Sequence, residues 1–158
     1  MKKSTTMRQL LLALMCLFGL NASAQFSATL KQGPTNDYSN VGHQFKLTEV
    51  AEALGTDTAT LVAQLSDMEN TKVFAVIDST GTVNTYTGNP GEFWLTKTGQ
   101  VHEYNGGAWF VGQNFDEEND IFNVYVGQMP NYFTASDTLQ VKAALVYGGK
   151  TVTFDMTY

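Results

Sequence analysis

The sequence predicts an α+β domain: an N-terminal helical pair packed on a mainly antiparallel sheet or sandwich of about seven strands. Three observations predict it. Apolar residues recur at helical spacing between Phe45 and Leu65, the period shortens to two after Thr71, and turn residues punctuate the rest at hairpin intervals. The segments between strands are too short to hold crossover helices, which excludes a parallel βαβ arrangement.

Ahead of the domain stands a different kind of segment. Lys2, Lys3 and Arg8 precede an apolar stretch from Leu10 to Leu20, and small residues follow at Ala22 and Ala24. Charged, apolar and small residues in that order form a secretory signal. The apolar stretch has eleven residues, whereas a spanning helix needs about 20. Cys16 lies inside that stretch, without the small residue before it that a lipoprotein signal needs. Cleavage is expected between Ala24 and Gln25, giving residues 1–24 as signal peptide and 25–158 as one exported domain. Its destination is the periplasm, the cell surface or the medium, with no membrane insertion after cleavage.

Within the domain, Phe26 to Leu30 alternates as a first strand, and Lys31 to Val41, rich in Gly, Pro, Asn and Ser, reads as a loop. Leu47, Val50, Ala51 and Leu54 mark one helix, which Gly55 ends. Thr56 or Asp57 caps a second, with Leu61, Val62 and Leu65 on its apolar side. Val73 to Ile77 and Thr82 to Tyr86 are strands about the turn Asp78-Ser79-Thr80-Gly81. Phe93 to Leu95, Val101 to Tyr104, Trp109 to Gln113 and Ile121 to Val126 follow. Val141 to Tyr147 and Lys150 to Met156 close the chain, joined by Gly148-Gly149, a two-residue hairpin signal.

Charge narrows the partners. The whole chain carries −6. Removing Lys2, Lys3 and Arg8 from nine cations leaves six, all lysine, against fifteen carboxylates, a charge of −9. Phosphate-rich partners are repelled, so nucleic acid is not an expected ligand. The helical pair has the spacing of a DNA-binding helix-turn-helix, but its second helix offers no Arg or Lys for phosphates or guanine edges. The only cysteine leaves with the signal, so no disulfide or thiolate chemistry remains. A domain of this size buries enough surface to fold without such staples, and no cofactor is implied.

Catalytic patterns are missing. There is no Gly-x-Ser-x-Gly elbow and no zinc-binding His-Glu-x-x-His helix, and His43 and His102 stand without motif partners. The sequence therefore reads as a non-enzyme. A small carboxylate-based glycoside hydrolase is the enzyme alternative, since a carboxylate pair is defined by geometry rather than spacing. The acidic run Asp116, Glu118 and Asp120 is a minority calcium candidate. It lacks the glycine at the sixth position of an EF-hand loop, where Ile121 stands, and the glutamate at the twelfth, where Gly127 stands.

Aromatic residues crowd the β-rich half, with amide side chains beside them. A ring face can stack on a sugar while amides bond its hydroxyls. Trp94 or Trp109 is the expected platform, with Tyr104 and Asn105 beside it. Core packing is the competing role for each indole.

Several segments together resemble the uncharacterised family named domain of unknown function 4859. They are Phe45 to Gly55, Gly91-Glu92-Phe93-Trp94-Leu95, Phe122 to Pro130 with its Gly127-Gln128-Met129-Pro130, and Ala144 to Tyr147. The resemblance implies a secreted domain of Bacteroidetes-type bacteria, often found beside modules that handle glycans, and brings no catalytic residues with it. The combined expectation is an exported non-catalytic ligand-binding domain, glycan-related. The alternative is a structural or protein-interaction module at the cell surface.

Overall fold

A computed structural model describes residues 24–30, 39–67, 70, 72–85, 92–102, 107–130 and 140–157. The signal segment expected over residues 1–24 lies outside them, apart from Ala24. The described residues form a β-sandwich of two five-stranded sheets. One sheet runs β1 (Gln25–Thr29), β10 (Lys150–Thr157), β9 (Gln140–Tyr147), β3 (Phe74–Ile77), β4 (Val83–Thr85). The other runs β2 (Ser39–Lys46), β8 (Ile121–Gln128), β7 (Trp109–Asp116), β5 (Glu92–Leu95), β6 (Val101–His102). All pairs are antiparallel except β1 with β10.

This corrects the expected α+β class and its strand count. Among the described residues there are ten strands and two short helices, α1 (Leu47–Leu54) and α2 (Thr58–Ser66). The helices follow β1 and β2 rather than opening the domain, and they do not lie on one sheet. α1 touches β2 and β8 of one sheet and β9 and β10 of the other, so the pair closes an end of the sandwich. The second error has a physical origin. Asn40, Gly42, His43 and Gln44 give β2 no apolar alternation, because it is an edge strand whose side chains are mostly exposed. Its last residues, Phe45 and Lys46, therefore merged with the helical pattern that follows.

The helix signals themselves were sound. Gly55 ends α1 in the left-handed region at φ 75°, and its N–H reaches the carbonyls of Ala51 and Glu52. Asp57 caps α2, accepting from the Thr60 N–H at 2.7 Å. Gly148 and Gly149 both have positive φ, 57° and 77°, as the β9–β10 hairpin requires.

The inner faces meet through alternating residues: Phe122, Val124 and Val126 from β8, and Val152, Phe154 and Met156 from β10, all buried. Rings bridge the two sheets. Phe154 lies 5.2 Å from Phe45 and 5.3 Å from Phe122, and Phe74 lies 5.8 Å from Phe93. Each such buried side chain contributes roughly 1.5–3 kcal/mol, so this layer holds the sheets together. The helices add Leu47, Val50, Leu54, Leu61 and Leu65 to the same core.

Candidate functional site

The two candidate indoles occupy different environments. Trp109 points into the core and is 1% exposed, with its Nε1 donating to the Lys97 carbonyl at 3.4 Å. Trp94 points to the outer face of its sheet, yet is only 7% exposed. Phe110, its cross-strand partner, lies 5.6 Å away and is 0% exposed. Neither indole presents a ring face to solvent. Tyr104 and Asn105 lie outside the described residues.

The outer face around Trp94 is a second packed layer built over glycines. Phe110 pairs with Gly127 and Tyr125 with Gly112. A Cβ on Gly127 would sit 1.7 Å from Phe110 Cζ, and one on Gly112 would sit 2.4 Å from the Tyr125 ring. Each ring covers the bare backbone opposite it, an aromatic rescue of glycine. The Tyr125 hydroxyl donates to Glu92 Oε1 at 3.0 Å and so ties the layer to β5. Gly127 lies within β8, where it makes room for Phe110.

The acidic run is a structural turn. Asp116 Oδ1 accepts from the Asn119 N–H at 3.1 Å and Oδ2 from the Asn119 amide at 2.7 Å. The Asn119 side chain, then its N–H, holds the Asp116 carboxyl below the usual carboxylate range. Asp120 spends its carboxylate on Thr48 in α1, and Glu118 is exposed. No group of three metal-ligating side chains stands together among the described residues. His43 sits on edge strand β2 against Phe45, and His102 is on β6.

A concavity lies on the outer face of the other sheet, across β3, β9 and β10. It is a groove of about 430 Å³, within the size range of small-molecule sites. A row of register partners crosses it: Ile77 pairs with Lys142, and Lys142 with Asp155. Asp78, Ser79 and Gly81 of the β3–β4 turn form one wall, and Gln140, Met156 and Thr157 complete the lining.

Its charged groups are already engaged. Lys142 Nζ stands 3.2 Å from Asp155 Oδ1, and the Gln25 amide donates to Asp155 Oδ2. Asp78 Oδ1 accepts from the Thr80 hydroxyl at 2.5 Å, the Thr80 N–H at 2.9 Å and the Thr82 N–H at 3.1 Å. Its Oδ2 accepts from Asn84 at 3.2 Å. The Thr80 hydroxyl is the largest cause holding the Asp78 carboxyl below its ordinary pKa, and the two N–H groups and Asn84 add to it. Asp78 is thus a fixed anion and an organiser of its turn.

Sequence reasoning missed Lys142, Asp155 and Asp78 as site residues, although a signal existed. A two-residue turn at Gly148-Gly149 sets Tyr147 opposite Lys150, and counting outward sets Lys142 opposite Asp155.

Comparison with known families agrees with the segments that carry the resemblance. The family model described as domain of unknown function (DUF4859) matches residues 37–153. The chain belongs to that family. The match spans most of the DUF4859 domain seen here, from the start of β2 into β10, and therefore both sheets and the helical pair. No curated protein and no solved structure matches the chain.

Proposed function

We propose that this DUF4859 chain is an exported, non-catalytic ligand-binding domain whose ligand is glycan-related. The groove over β3, β9 and β10 is the observation that carries this reading. It is large enough for a small ligand and mixes hydroxyl, amide, ammonium and aliphatic groups. Export rests on the signal pattern of residues 1–24.

A hydrolase reading fits the groove less well. A general acid must carry a proton near neutral pH, whereas the hydrogen bonds to Asp78 hold its carboxyl below the usual carboxylate range. Buried indoles remove the stacking platform first expected at Trp94 or Trp109, so recognition is assigned to hydrogen bonding on the other sheet.

The test is a polysaccharide array probed with residues 25–158, followed by a reducing-end assay on each binder. Binding without release of reducing ends is expected. Turnover would replace this reading with the hydrolase one. Absence of any binding by folded protein would leave the interaction-module alternative, which one observation favours: among the described residues β2 pairs with β8 alone, leaving an eight-residue edge.

A further inference from the structure

The groove has a chemical character that selects among glycans. Its cation is Lys142, whose side chain is 45% exposed. An ammonium carries three N–H donors. Lys142 Nζ stands 3.2 Å from Asp155 Oδ1 as an ion pair, and an ammonium beside one carboxylate keeps donors for oxygens of a ligand. Asp155 is a positioning residue, because its own oxygens are directed to Lys142 and Gln25. Beside Lys142 in the row stands Ile77, a partly buried aliphatic surface that can pack on the C–H face of a sugar ring. Gln140, Ser79 and Thr157 add neutral donors and acceptors at the rim.

Charge decides the sign of the preference. Asp78 and Asp155 outnumber Lys142 in the lining, and the chain as a whole carries −6. An anionic ligand approaching this groove meets a net negative field and an ammonium already neutralised by its neighbour. A neutral polyol pays no such penalty. We infer that the groove takes a short segment of neutral oligosaccharide, oriented by Lys142 over Ile77, and rejects uronate-bearing chains. This deepens the proposed function and rests on it. With few rings and few donors, the expected Kd is on the order of millimolar.

The experiment is amide chemical-shift titration of isotopically labelled residues 25–158. The neutral probes are oligosaccharides of glucose, xylose and mannose, and the anionic probe is oligogalacturonate. At least one neutral probe should shift amides in 77–81, 140–142 and 155–157, while oligogalacturonate at equal concentration shifts none. Lys142→Met, an exposed change outside the core, should weaken the neutral probe by about tenfold or more, the expected loss for hydrogen bonds from a charged donor. Ile77→Ser should weaken it independently, and Asp155→Glu should retain more binding than Asp155→Asn. Binding that maps elsewhere or ignores Lys142→Met would overturn the groove assignment while sparing the ligand-binding reading. Equal or tighter binding of oligogalacturonate would overturn the selectivity. A folded protein that binds no probe and nothing on a wider array would remove both.

Discussion

Asp120 and Thr48 are 72 residues apart in sequence, yet the Asp120 carboxylate closes the first turn of α1. It accepts from the Thr48 N–H at 2.8 Å and from the Thr48 hydroxyl at 2.9 Å. The residue at the N-cap position itself, Lys46, supplies no side-chain cap. The cap instead arrives from the β7–β8 turn, where Asp120 holds a left-handed φ of 56°. The Asp120 carbonyl also accepts from the Leu47 N–H at 3.1 Å. One residue thereby fixes the helical pair against a sheet, which explains an acidic run that otherwise resembles a metal loop.

Asp120→Ala should cost about 1–2 kcal/mol, the usual loss for an N-cap. Asp120→Asn should cost less, since Asn tolerates the left-handed region and keeps one acceptor. Urea unfolding of the three proteins measures this. An alanine variant as stable as the parent would mean that α1 does not depend on the distant cap.

Gly127→Ala should be strongly destabilising, by about 1–3 kcal/mol or more, because the new methyl meets the Phe110 ring. Coupling is the sharper readout. A Phe110→Ala background removes the three atoms nearest the new methyl, all of the Phe110 ring, and the penalty for Gly127→Ala should largely vanish. Additive losses across the double-mutant cycle would show that the glycine serves some other need.

How much of this was legible in the sequence depends on range. Gly55, Asp57, Gly81 and Gly148-Gly149 act within a few residues of themselves, and their turns and caps were readable. The strand Phe74–Ile77 was readable as a continuous β-rich run, covered on both faces, and Ile121–Gln128 by the alternation of its first six residues. What escaped was set by partners far along the chain. The polar edge strand β2 is defined by its pairing with β8 rather than by its own alternation. Trp94 points outward yet is buried, beside a Phe110 ring that lies on Gly127 of the neighbouring strand. No local period carries that information.

Acid should unfold the domain partly through Asp57, Asp78 and Asp116. Each is held below its ordinary value of 3.8, Asp57 and Asp78 chiefly by Thr60 and Thr80, and Asp116 by Asn119. A depressed folded pKa contributes stability that is present above the unfolded value and lost as pH falls through the folded one. Stability should therefore be flat near neutrality and decline below about pH 4. Replacing any of the three by Asn should flatten that decline, read as urea midpoint against pH. An unchanged slope in all three variants would show that other carboxylates govern it.

The placement of the indoles yields the last prediction. Trp109 is enclosed in the core and Trp94 lies under the outer layer of the sheet opposite the groove. A polar quencher must touch an indole to act, so acrylamide or iodide should quench native emission weakly and denatured emission strongly. Trp94→Phe should leave the native quenching small, because Trp109 is the deeper of the two. The same optics test where a glycan sits. A sugar bound over Ile77 and Lys142 is separated from Trp94 by the full thickness of the sandwich, with sheets spaced about 10 Å apart. Titration with a neutral oligosaccharide that shifts groove amides should leave the emission maximum and its quenching unchanged. A blue shift, or protection from quencher on adding glycan, would move the binding surface to the Trp94 face and restore the stacking role that burial argues against.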